Sequence, residues 1–69
     1  MKFNYSKLLG RIREFGMTQA QVAVQIGITP ATLSTKLNNK SHFASDEIDA
    51  ICHLLKISVE EIGGYFYAK

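Results

Sequence analysis

A chain of 69 residues, with eight Lys and Arg against six Asp and Glu and 46% hydrophobic residues, has room for one domain around one small core. Its single cysteine, Cys52, excludes an internal disulfide framework, and no Cys or His pair stands at zinc-ligand spacing, so a cytoplasmic, metal-free and cofactor-free protein is expected. Residues 15–35 carry no formal charge, but they hold Thr18, Gln19, Gln21, Gln25 and Ser34 and break at Gly27 and Pro30, while Met1–Gly10 contains Lys2, Asn4, Ser6 and Lys7; neither a membrane span nor an export leader is expected.

Five short helices are predicted. Tyr5, Leu8, Leu9, Ile12 and Phe15 recur at helical spacing over about residues 5–15, with Asn4 or Ser6 as N-cap and Gly16 as the stop. Thr18-Gln19-Ala20-Gln21 has the form of a capping box, and Val22, Ala23 and Ile26 give the second helix an apolar face that ends at Gly27. Thr29 before Pro30 starts a third helix; Leu33 and Leu37 form its inner stripe, and Asn38-Asn39 can take the left-handed conformation that closes it. Ser45 is expected to cap a fourth helix whose first turn carries Asp46, Glu47 and Asp49, with Ile48, Ile51, Cys52 and Leu55 facing inward. Ser58-Val59-Glu60-Glu61 repeats the capping-box form for a one-turn fifth helix ended by Gly63-Gly64, leaving residues 65–69 as an aromatic tail.

Helices two and three are joined by only Gly27-Ile28-Thr29. So short a turn forces the second of the pair to cross the first steeply, as in a helix-turn-helix, where one helix braces and the other projects into a major groove. Charge is placed to match. Residues 1–45 hold six Lys and Arg and one acid, whereas residues 46–69 hold two lysines and five acids, giving a basic front suited to a polyanion. On a helical wheel with Leu33 and Leu37 inward, Ala31, Thr35 and Asn38 point outward and Thr32 and Ser34 flank them. The same pattern also describes a solvated face that happens to be small and uncharged.

The stretch from Gln19 to Ser34, QAQVAVQIGITPATLS, resembles the core motif of the lambda-repressor-like family, the five-helix domain of phage Cro and CI proteins. The similarity runs over almost the whole chain: Ile57–Ile62 resembles the family's last helix, and Lys36–Ser41 with Tyr65-Phe66 is similar to short repressor-like proteins of phages and prophages of Gram-positive bacteria. Where many members carry an apolar residue near the end of helix three, this chain has Lys36, with Leu37 taking the buried role.

The resemblance implies an all-α, five-helix helix-turn-helix domain over residues 1–69 and a Cro-like regulator that reads a double-stranded DNA operator as a homodimer. Base contacts would come from Pro30, Ala31, Thr32, Ser34 and Thr35. None of these is Arg, Gln or Asn, so readout would rest on thymine methyls and single hydroxyl hydrogen bonds. Gln19, at the start of helix two, would clamp a phosphate, as would Asn38, Lys40 and Ser41, with Lys36 and Arg11 as additions. Tyr65, Phe66 and Tyr67 would either build the dimer interface or fold back onto the domain.

No enzymatic activity and no small-molecule substrate are expected. Cys52 sits on an apolar stripe rather than beside a base, and Asp46 and Asp49 serve the helix dipole. The competing function is an antitoxin- or antirepressor-like module on the same fold, whose chief partner is another protein.

Overall fold

A computed structural model describes residues 2–69; Met1, part of the stretch read as lacking an export leader, lies outside the described residues. Five α-helices follow one another: α1 Ser6–Glu14, α2 Gln19–Ile26, α3 Pro30–Leu37, α4 Ser45–Leu55 and α5 Ile62–Phe66, the last preceded by a 3-10 turn over Val59–Glu61. No strand occurs among the described residues, and no helix there is long and apolar enough to cross a membrane.

The first four helices stop by one device. Gly16, Gly27, Asn39 and Lys56 take left-handed backbone angles, with φ of 67°, 84°, 63° and 53°. The next N–H in each case reaches back past the turn, Met17 to the Ile12 carbonyl, Ile28 to Ala23, Lys40 to Thr35 and Ile57 to Cys52. These bonds satisfy carbonyls that a helix end leaves free. Glycine and asparagine adopt this conformation readily, but Lys56 has a Cβ that makes it cost about 1–2 kcal/mol. Arg11 of α1 supports the strained end, donating from Nε to the Leu55 carbonyl at 3.0 Å and from Nη2 to the Lys56 carbonyl at 3.2 Å.

The starts follow the sequence more closely for α2 and α3 than for α4. Thr18 and Gln21 exchange side-chain and backbone bonds at 2.9 and 3.1 Å, and Thr29 Oγ1 accepts the Thr32 N–H with Pro30 at the first helical position. Asn4 Oδ1 accepts both the N–H and the hydroxyl of Ser6. Ser45, expected as a cap, is instead the first residue of α4, and Ala44 stands at the boundary. The Glu47 carboxylate takes the Ala44 N–H at 2.7 Å, so the reaching-back half of a capping box suffices without a hydroxyl.

Leu8 and Ile12 from α1, Val22 and Ala23 from α2, Leu33 from α3, and Ile48, Ile51 and Leu55 from α4 meet in one core. There α2 packs against α3 and α4, and α1 against α5. Ala23 is completely buried. Ala23→Leu is therefore expected to cost about 1–3 kcal/mol through overpacking, read as a lower urea midpoint at unchanged m-value.

The end of the chain departs from expectation. Gly63 and Gly64 lie inside α5 rather than ending it, so Tyr65 and Phe66 are carried into the core at 5% and 2% exposure while Tyr67 remains 53% exposed. Of the three residues considered for a dimer interface, Tyr65 and Phe66 are thus excluded by burial. The apolar helical stripes alone leave space that rings complete: Phe66 meets Phe43 edge-on at 5.5 Å, and Phe43 meets Tyr5 in the same way. The two ends of the chain also meet. The Phe3 N–H donates to Asn39 Oδ1 at 2.8 Å, Asn39 Nδ2 donates to the Phe3 carbonyl at 2.9 Å, and the Asn4 N–H donates to the Ala68 carbonyl at 2.6 Å.

Candidate functional site

α3 presents Pro30, Ala31, Thr32 and Thr35 to solvent, with Ser34 half-buried beside them and Leu33 inward at 1% exposure. The outward residues of the wheel drawn from the sequence are exposed, but its inward side is Leu33 with Lys36 rather than Leu33 with Leu37, and the outward hydroxyls are partly committed. Thr35 Oγ1 donates to the Ala31 carbonyl at 2.9 Å, and the hydroxyls of Thr29 and Thr32 lie 2.8 Å apart. What Thr35 offers outward is a methyl group and acceptor lone pairs, chemistry that can touch a thymine methyl or accept from an adenine or cytosine amino group.

Lys36, expected to hold a phosphate, does not face outward. It is 9% exposed, more deeply placed than half-buried Leu37. Its ammonium donates to Glu47 Oε1 at 2.7 Å and to the His42 carbonyl at 2.9 Å. A buried ammonium needs such partners because unpaired charge is costly to desolvate. The pair ties α3 to α4. Burial by itself would push the Glu47 carboxyl up, but hydrogen bonds from Lys36 and the Ala44 N–H, together with the Lys36 charge, hold it below the ordinary glutamate value.

Arg11 is likewise taken, by the α4 carbonyls described above and by the Phe15 ring, 4.9 Å from its guanidinium carbon. Gln19, Asn38, Lys40 and Ser41 remain exposed as expected. Asn38 turns its amide back onto Ser34, with Nδ2 at 2.8 Å from the carbonyl. Gln19 and Lys40–Ser41 thus stand at the two ends of the α2–turn–α3 unit. Sequence reasoning missed Arg13: it is exposed and lines a surface concavity with Met17, Thr18 and Gln19 at the start of α2. The signal was its offset of two residues from Arg11, which puts it on a different side of α1.

The outer face of α2 is a second surface. Ala20, Gln21, Val24 and Gln25 line an open, uncharged depression in which Val24 is 69% exposed. Elsewhere, burial and then the Asp49 charge push the Cys52 thiol up, away from the thiolate that nucleophilic chemistry needs. No group of three or more His, Cys, Asp or Glu that could hold a metal ion occurs among the described residues.

The sequence family described as "Protein of unknown function (DUF739)" matches residues 1–69. No match was found among curated proteins. The chain is similar to the protein in the "Solution structure of the modulator of repression (MOR) of the temperate bacteriophage TP901-1 from Lactococcus lactis", with 39% sequence identity and a TM-score of 0.82 over 97% of this chain and 90% of that one.

Proposed function

The chain belongs to the DUF739 family, and from that premise we propose that it is a small regulator of repression of the temperate-phage type, built on a helix-turn-helix whose third helix enters the major groove of an operator. The observation that carries this is the α2–turn–α3 unit, which sets an exposed, small-residue face of α3 between Gln19 at one end and Lys40–Ser41 at the other. Likeness to a phage modulator of repression supports the regulatory role, and resemblance to the lambda-repressor-like family supports the groove. Arg13 joins Gln19 as a phosphate contact in place of Arg11 and Lys36.

Two copies on half-sites one helical turn apart, about 34 Å, multiply a weak single readout. Tyr67 is the one member of the aromatic trio left for a second copy. The function includes no catalytic step.

Sequence preference and grip separate by substitution. Thr35→Ala should cost on the order of 1 kcal/mol on a selected operator and little on scrambled duplex, whereas Lys40→Ala should weaken both alike. Sequences selected from random DNA, then titrated over a salt series, provide the measurement. Uniform loss with Thr35→Ala would place α3 outside the groove.

A protein target is the second reading, and the uncharged depression around Val24 favours it. A face without charge suits a partner surface better than phosphates. In that case the protein would bind the repressor of the same operator, and Val24→Lys would abolish that complex while leaving the fold intact. Mixing purified repressor, operator and this chain in native gels distinguishes a protein complex from direct occupancy of DNA.

A further inference from the structure

We propose that Lys2, Lys40 and Lys69 form one basic patch at the end of α3, and that it takes the phosphate backbone of duplex DNA. The three lysines are isolated in the sequence. The fold gathers them because Asn39 holds the Phe3 backbone by both its N–H and its carbonyl, and the Asn4 N–H holds the Ala68 carbonyl. Lys2 precedes Phe3, Lys40 follows Asn39 and Lys69 follows Ala68, so each stands one residue from this junction. The Phe3 ring closes it against Tyr67 at 5.7 Å.

All three lysines are exposed, and none has an ion-pair partner among the described residues. Residues 2–5, 38–44 and 65–69 contain no Asp or Glu. Of the other cations, Lys36 is occupied by Glu47, Arg11 by the end of α4, and Lys7 by the Tyr65 ring, 4.7 Å from its ammonium, while Arg13 on α1 and Lys56 at the end of α4 are exposed but stand singly. The junction of Phe3, Asn39 and Ala68 therefore gathers unpaired positive charge from three parts of the chain in one place.

Duplex DNA fits it better than an acidic protein because of what lies alongside. The exposed residues of α3 carry no charge, so a duplex meeting that helix must find its ionic contacts off the helix, where the strands bordering the groove pass. The inference rests on the groove reading of α3, but it makes a separate claim. The patch governs salt dependence, whereas the face of α3 governs sequence preference.

The test uses the full chain and a random-sequence duplex, with binding followed by fluorescence anisotropy over a salt series. Lys2→Gln, Lys40→Gln and Lys69→Gln should each lower the slope of log affinity against log salt by about 0.9. Lys56→Gln, an exposed lysine at the end of α4, should leave it unchanged. In amide spectra of labelled protein, the duplex should shift Lys2–Asn4, Asn39–Ser41 and Ala68 together.

If Lys40→Gln lowers the slope while Lys2→Gln and Lys69→Gln do not, the patch is refuted even where an operator is still preferred over scrambled DNA. If all three lower it but no operator preference exists, the patch stands and the groove reading falls. No binding to any duplex at low salt overturns both, as does saturation of the same amides by a poly-glutamate peptide but not by DNA.

Discussion

Glu47→Ala should destabilise the fold by about 3 kcal/mol, the lower end of the range for stripping one partner from a buried pair. It would leave the Lys36 ammonium with the His42 carbonyl alone. A chain of this size has a total stability of roughly 3–10 kcal/mol, so the variant should lose about a third of it or more and unfold at a clearly lower urea midpoint than wild type. Replacing both charges, Lys36→Met with Glu47→Leu, should be neutral or stabilising, because the desolvation cost disappears with the attraction.

The same pair sets an acid limit. Since the folded Glu47 value lies below the ordinary one, its contribution is complete above the ordinary glutamate range and is lost as pH falls through the folded value. Urea unfolding of wild type and double variant at neutral and acid pH checks both points. Equal acid sensitivity in the two proteins would remove Glu47 from the explanation.

Phe66→Ala should cost about 3–5 kcal/mol, the usual penalty for emptying a buried ring site. Tyr67→Ala should cost about 1 kcal/mol or less, because that ring is half in solvent. Sedimentation of the folded Tyr67→Ala protein then reports on pairing without confusion from unfolding. A Phe66→Ala chain as stable as wild type would contradict the burial of α5.

Helix existence was legible in the sequence wherever local chemistry decides it. The Thr18–Gln21 box, the Thr29-Pro30 start and the stops at Gly16, Gly27 and Asn39 are each settled by residues within one turn. The misreadings share a different cause. Lys36 looked exposed because its counter-charge is Glu47 on another helix, and Lys56 carries no left-handed signature because Arg11, from α1, supports its carbonyls. Gly63-Gly64 read as a breaker, yet the rings of Tyr65 and Phe66 gain more from burial than two glycines cost a helix, about 1 kcal/mol each. In the candidate site, the face of α3 was legible from periodicity. Which cations remain free was not, since that depends on contacts across the fold.

The Lys36–Glu47 pair also constrains how relatives of this chain can diverge. Changing either position alone passes through a protein with a buried unpaired charge, while changing both reaches a packed apolar contact or a reversed pair. Positions 36 and 47 are therefore expected to vary together across family members, charge with opposite charge or apolar with apolar. Neighbouring exposed positions such as 35 and 38 can drift independently, so the surface of α3 can change what it touches while its mooring to α4 is inherited as a unit.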